Sequence, residues 1–342
     1  MGGSLYSSSV FNSTMRAHAA AGTSAFTYHS KVSSGAAPVA VHPDLAPNLV
    51  AGPNSPYAGK VMRESRDSDA HPNSVAVGVI FDVTGSMGVV PQLFITKLGA
   101  IMNLLVKKGY LEDPQILYGA VGDETSDYVP LQIGQFESGN EQEECLGKVY
   151  LEGGGGGQHY ESYELAMYFM ARHTSIDCLE KRGEKGFLFL VGDEMFRDKV
   201  SRGAVKRLIG DDLSEDIPTE DILSELRGKY EVVWIFPAGT SYWDSDTTAG
   251  PLSQAFGQNF LRLEKPEEIA ELIAATIGVA RGYNPKDIVT DLVDSGMSKG
   301  GATRATAALA TYAASSSSLA KKTATVEGDL DLGGDSDGVS RL

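Results

Sequence analysis

Residues 75–88 read VAVGVIFDVTGSMG. An apolar run ends in a carboxylate, Asp82, and two hydroxyls, Thr84 and Ser86, follow at alternate positions. Alternate residues of an extended turn aim at one point, and Gly85 and Gly88 let the chain turn tightly there. One carboxylate and two hydroxyls converging on a point form a hard, all-oxygen site. Mg²⁺ suits that chemistry, since it takes oxygen ligands in near-octahedral geometry and keeps several waters. The competing reading is structural: Asp82 caps the next helix and the hydroxyls satisfy turn amides.

Two further features favour the cation. A second apolar run, GFLFLV (186–191), is followed by Gly192-Asp193-Glu194, so Asp193 also emerges at a strand end. Between the two runs lie the five glycines 153–157, just ahead of the helical pattern ESYELAMYFMARH. A glycine run before a helix lets backbone approach a ligand closely. Asp123, in GAVGDETSD, ends another strand; it either orders water or a ligand from an outer position or is a turn aspartate. His159 follows the glycines and reads as surface. Trp243, in TSYWDSD, is either a partner contact or a local packing anchor.

These residues need a frame that brings strand ends together. From Val75 onward, apolar runs of strand length alternate with helical patterns. VAVGVIF (75–81), QILYGAV (115–121), GFLFLVG (186–192) and YEVVWIF (230–236) are expected strands, with NFLRLE as a last one. YVPLQIGQF (128–136) reads as an edge strand, because Pro130 cannot donate to a ladder. PQLFITKLGAIMNLLVKKGY carries Leu98, Ile101 and Leu105 at helical spacing. PEEIAELIAATIGVARG has Pro266 at a helix start, Ile269, Leu272, Ile273, Thr276 and Ile277 on one face, and Gly282 at its stop. The pattern predicts an α/β fold: a doubly wound, Rossmann-like, mostly parallel sheet with helices on both faces. Ligands of such sheets bind at the carboxyl ends of the strands, near the switch in strand order. Asp82 and Asp193 are expected at that one edge. An edge position also predicts that Asp82→Ala leaves the fold intact.

The stretch FDVTGSM together with Asp193 resembles the metal-ion-dependent adhesion site of von Willebrand factor A domains, of the intracellular bacterial or phage type, over about residues 74–282. The first motif matches the family's D-x-[ST]-x-S pattern, and Asp193 matches its later aspartate. The family's third element, a Thr before a helix, has no counterpart after the glycines. The stretch is similar instead to a subgroup carrying GGGDxPE, which places Gln158 at the Asp and Glu161 at the Glu. Glu161, or else Ser162, is therefore the expected third element. The resemblance implies metal ligation by Asp82, Thr84, Ser86, Glu161 and Asp193, with Asp123, Gln158 and Ser162 further out. It implies Mg²⁺, with Mn²⁺ and Ca²⁺ as alternatives, and an open position on the ion for a carboxylate of a protein partner. Bacterial members of the family often act with AAA+ ATPases as adaptors or assembly factors. This chain carries no ATPase motif, so that partner would be a separate protein. A glutamate in place of a neutral hydroxyl would supply negative charge from within and weaken the pull on an acidic partner.

Composition bounds the alternatives. The chain has 342 residues and a net charge of −16, from 29 basic and 45 acidic residues, which disfavours a phosphate backbone as partner. No window approaches the roughly 18 apolar residues of a membrane span. Cys145 and Cys178 form no CxxC pair, which suits a reducing compartment and a cytoplasmic location. The five glycines lack the Lys-[ST] of a phosphate-binding loop, Thr84 breaks a D-x-D phosphatase motif, and no G-x-S-x-G is present. A metal-dependent hydrolase thus has a thin basis, and no enzyme is expected. The leading expectation is a metal-dependent protein-binding module. A structural component that self-associates through its arms is the alternative. Residues 1–73, rich in Ser, Ala, Gly and Pro, read as an N-terminal arm, and residues 283–342 as a small-residue and acidic tail with room for one helix.

Overall fold

Six strands form one sheet in a computed structural model that describes residues 6–21, 25–154, 159–295, 297–309 and 312. They are β1 (Ser74–Asp82), β2 (Asp113–Val121), β3 (Leu131–Ile133), β4 (Gly186–Val191), β5 (Tyr230–Pro237) and β6 (Phe260–Leu263). Their order is β6-β5-β4-β1-β2-β3. Five are parallel, and β3 closes one edge antiparallel to β2. Pro130, which precedes β3, contributes only its carbonyl, accepting from Gly122 N at 3.0 Å. The chain leaves β1 for β2 on one side and later enters β4 on the other. The switch point therefore lies between β1 and β4.

β1 is buried along all nine residues, as a central parallel strand must be. Its side chains alternate between two cores. Val75, Val77, Val79 and Phe81 face the layer formed by α1 (Val90–Lys107) and α4 (Ile269–Ala280). Ala76 and Ile80 face the layer formed by α2 (Tyr163–Arg172) and α3 (Thr219–Lys229). The helical stripe expected in α4 is the buried one: Ile269, Leu272, Ile273, Thr276 and Ile277 are all fully covered. Gly282, at φ 85°, follows the end of α4, where a left-handed residue stops a helix. Among the described residues no helix is long and apolar enough to cross a membrane.

The packed unit does not stop at the boundaries drawn from composition. On the N-terminal side, helices Ser8–Ala21 and Thr27–Ser33 form, and Phe26 and Leu45 join the core. Arg63, fully buried, donates to the carbonyls of Gly134 (2.9 Å), Leu49 (2.8 Å) and Ala46 (2.9 Å). Its strand, Arg63–Ser65, pairs in parallel with Thr174–Ile176. A segment poor in apolar residues is thus held by a few isolated anchors and by one guanidinium that satisfies its backbone. On the C-terminal side two helices, α5 (Pro285–Asp294) and α6 (Lys299–Ala308), dock through Ile288, Leu292, Ala302 and Ala305. The acidic stretch from residue 313 lies outside the described residues.

Candidate metal centre

The in-register pairing of β1 with β4 sets Phe81 beside Val191, so both chains run out at the same height. Asp82 closes β1, and Asp193 follows β4 after one glycine. One carboxylate oxygen each of Asp82, Asp193 and Glu194 lies within 4.8 Å of the other two. Asp82 and Asp193 are fully buried and Glu194 is 3 % exposed. Asp82 therefore sits under the loops rather than on an open edge, which removes the basis for expecting Asp82→Ala to be harmless.

Asp82 Oδ1 accepts from Thr84 N at 2.7 Å and from Thr84 Oγ1 at 2.6 Å. Its Oδ2 accepts from the Tyr163 hydroxyl at 3.1 Å. Ser86 Oγ lies 2.8 Å from Asp193 Oδ1, 3.0 Å from Glu194 Oε2 and 3.3 Å from Thr84 Oγ1. Asp193 Oδ2 accepts from Tyr242 N at 3.0 Å. Asp82, Thr84, Ser86 and Asp193 thus meet as the motif implied. The structural reading holds for Asp82, which accepts from the Thr84 amide, and not for the Thr84 hydroxyl, which donates to the Asp82 carboxylate instead of satisfying a turn amide.

Glycine 85 allows the glycine run to close on this loop. Gly85 N donates to Gly154 O at 2.5 Å, Gly153 N donates to Val83 O at 3.1 Å, and a Cβ on Gly85 would lie 2.8 Å from the Gly154 oxygen. Gly155 to Gly157 and Gln158 lie outside the described residues. Residues 241–242 close the opposite side, where Ser241 N donates to Ser86 O at 3.0 Å.

Glu161 is 2 % exposed, its carboxyl is close enough for the charges of Asp82 and Glu194 to bear on it, and its Oε2 has no hydrogen-bond partner. It does not cap α2, whose first residue receives no side-chain cap. Its backbone N–H donates to Met195 O at 2.9 Å, which brings this loop alongside the one after β4. Ser162 is not at the centre: its Oγ accepts from Glu124 N at 2.9 Å, lacing the start of α2 to the end of β2. Asp123 is a turn aspartate. It accepts from Thr125 N (3.0 Å), Thr125 Oγ1 (2.6 Å) and Ser126 Oγ (3.1 Å), and Arg197 pairs with it. Its influence on the centre is its charge, which Glu194 feels. His159 packs against Tyr242 with ring centroids 4.8 Å apart and the ring planes tilted by 58°. Trp243 is a packing anchor, stacked on Phe236 and covered by the Arg262 guanidinium at 3.9 Å.

Three buried carboxyls therefore converge, with the buried Glu161 outside that close group but near enough to feel the charges of Asp82 and Glu194, and among the described residues no Lys, Arg or His forms an ion pair with any of the four. Burial, reinforced by Asp193, holds the Asp82 carboxyl well above its usual range. Burial, with Asp82 and Glu194 adding to it, raises Glu161, and burial raises Asp193 and Glu194. Uncompensated buried charge is costly, so such a set either takes up protons or takes up a cation. The donors present favour the second. One Ser86 hydroxyl proton faces two carboxylates, and the Glu161 oxygen has no donor at all. An all-oxygen set of this kind fits a hard divalent cation.

Glu194, Tyr163 and Trp234 were not singled out by sequence reasoning as part of the site. Two consecutive acids after a buried strand were a signal for Glu194. Tyr163 and Trp234 lie inside elements that read as core. Only their hydroxyl and indole N–H, which reach Asp82 and the Gly192 carbonyl (3.1 Å), tie them to the centre.

No protein-family model and no curated protein matches this chain. Among solved structures it is similar to the pilus adhesin SpaC from Lactobacillus rhamnosus GG in its open conformation. The identity is 10 %, over 64 % of this chain and 31 % of that one, with a TM-score of 0.44. A second form of the same adhesin matches at 11 % identity, over 63 % and 32 % of the two chains, with a TM-score of 0.37. Proximal thread matrix protein 1 from the mussel byssus matches at 11 % identity, over 65 % and 47 %, with a TM-score of 0.38. The matched region spans between about a third and a half of the length of these structures. Likenesses this distant say nothing about what the present chain binds.

Proposed function

We propose that this chain is a cation-dependent protein-binding module of the von Willebrand factor A type, acting as an adaptor or assembly factor. The observation that carries the reading is the convergence of Asp82, Asp193 and Glu194 with the hydroxyls of Thr84 and Ser86 at the sheet's switch point, with no cationic side chain among the described residues paired to them. Asp82, Thr84, Ser86, Asp193 and Glu161 would hold the ion, Mg²⁺ in the first instance. The ion would supply the positive charge that the cluster lacks and tie together the loops after β1 and β4 and the loop before α2. Val89 and Tyr160, exposed beside those loops, offer a partner apolar contact at the same edge.

The test is a pull-down with the wild type and Asp82→Asn, each in Mg²⁺ and in EDTA, alongside calorimetric titration of Mg²⁺ and Mn²⁺. Wild type should bind one ion, melt higher with it by mass action, and lose its partner in EDTA. Asp82→Asn should lose all three behaviours. Equal metal binding by the two proteins would overturn the reading.

A further inference from the structure

Glu194 matches no element of the motif by which the site was first recognised, yet its Oε2 stands 3.0 Å from Ser86 Oγ, on the hydroxyl that also faces Asp193 at 2.8 Å. Its ligand oxygen belongs to the same 4.8 Å group as those of Asp82 and Asp193. Its neighbour Glu161 is buried, and the free Oε2 there marks a place where the fold has left a polar atom for something else to satisfy. Three carboxylates around a dication leave a net negative charge, and Glu161 adds to it. A further carboxylate approaching such a site meets repulsion as well as attraction.

Resting on the cation-site reading above, we infer that Glu194 is a built-in ligand. It supplies the carboxylate that a partner would otherwise bring, so the free protein retains its cation and does not recruit an acidic side chain with it. The cation then works as a clasp on the loops around residues 84–86, 161 and 193–194.

The experiment uses the full chain as wild type, Glu194→Ala, Glu194→Gln and Asp82→Asn. Mn²⁺ affinity is read by calorimetry. Bound water is counted by Tb³⁺ luminescence lifetimes in H₂O and D₂O, with and without acetate as a probe carboxylate. Loss of an outer partner of a metal ligand already weakens binding about 10–100-fold, so both Glu194 variants should weaken Mn²⁺ by at least that much. Tb³⁺ in Glu194→Ala should carry more water than in wild type, and acetate should displace that water in the variant and not in wild type. Glu194→Gln keeps the shape and guards against a packing effect. The inference is overturned if the Glu194 variants bind Mn²⁺ like wild type while Asp82→Asn does not, or if acetate displaces water from wild type as readily as from Glu194→Ala. If wild type binds no Mn²⁺, or Asp82→Asn binds it unchanged, the cation-site reading itself fails and this inference falls with it.

Discussion

Replacing Asp82 by Asn should stabilise the metal-free protein and remove its response to metal, two effects of opposite sign. The substitution keeps the shape and the hydrogen bonds. Asn Oδ1 can accept from Thr84 N and Oγ1 as Asp82 does, and Nδ2 can donate to the Tyr163 hydroxyl, which turns to accept. What disappears is one negative charge within 4.8 Å of two others. Coulomb's law at an effective dielectric of about 20 gives roughly 3.5 kcal/mol for each such pair. Without metal the cluster relieves part of this by holding protons, since burial raises all four carboxyls and neighbouring carboxylates add to it at Asp82, Glu161 and Glu194. The net gain at neutral pH should then be about 2–4 kcal/mol, a rise of several degrees in Tm. Urea unfolding and thermal melts of both proteins in EDTA and in saturating Mg²⁺ measure it. Wild type should gain stability from Mg²⁺ and the variant should not. An Asp82→Asn protein that is less stable than wild type in EDTA would refute the electrostatic argument. It would mean that the four carboxyls are already neutral at no cost.

Three other perturbations probe the scaffold. Gly192→Ala would place a Cβ on the Tyr163 hydroxyl, 2.6 Å from Cζ and 3.2 Å from Asp82 Cβ, with the Tyr163 ring pinned 4.6 Å from Trp234. Overpacking and the lost bond to Asp82 should together cost about 3–5 kcal/mol in urea unfolding, partly recovered in the double variant with Tyr163→Phe. Arg63→Ala orphans the carbonyls of Leu49 and Gly134, leaves Ala46 O with Leu49 N as its donor, and should cost about 3 kcal/mol or more, with limited proteolysis opening first in residues 43–66; Arg63→Lys, lacking the fork, should recover only part. Burial pushes the Asp67 carboxyl up, but Arg182 (2.8 Å), Ser74 (2.7 Å) and Lys181 (3.3 Å) outweigh it and hold the pKa down at about 2. Its contribution is therefore complete above about pH 4 and is lost as pH falls towards 2; up to about 2 kcal/mol should vanish there, and Asp67→Asn should flatten that part of the pH–stability curve.

The alternation of apolar runs with helical patterns was enough to predict a mostly parallel sheet. A strand buried on both faces has to be apolar throughout, and β1 and β4 carry that mark in their own residues. The edge role of β3 was readable from Pro130, and the stop of α4 from Gly282, because each follows from a backbone property of a single residue. The meeting of Asp82 with Asp193 was also legible, since both end parallel strands and such ends share an edge. The sequence did not reveal which acids face the centre. Asp123 also ends a parallel strand, but a turn closed by Thr125 and Ser126 and the charge of Arg197 draw it aside. Glu194 points in because the loop after β4 runs alongside the loop before α2, a pairing between residues far apart in the chain. Packing of the N-terminal segment was hidden for the same reason. Its composition offers little to bury, and its anchors, Phe26, Leu45 and Arg63, become anchors only against surfaces supplied by distant strands and helices. Local chemistry is written residue by residue; which groups share one buried volume, and hence how much charge that volume must neutralise, exists only once the chain has closed on itself.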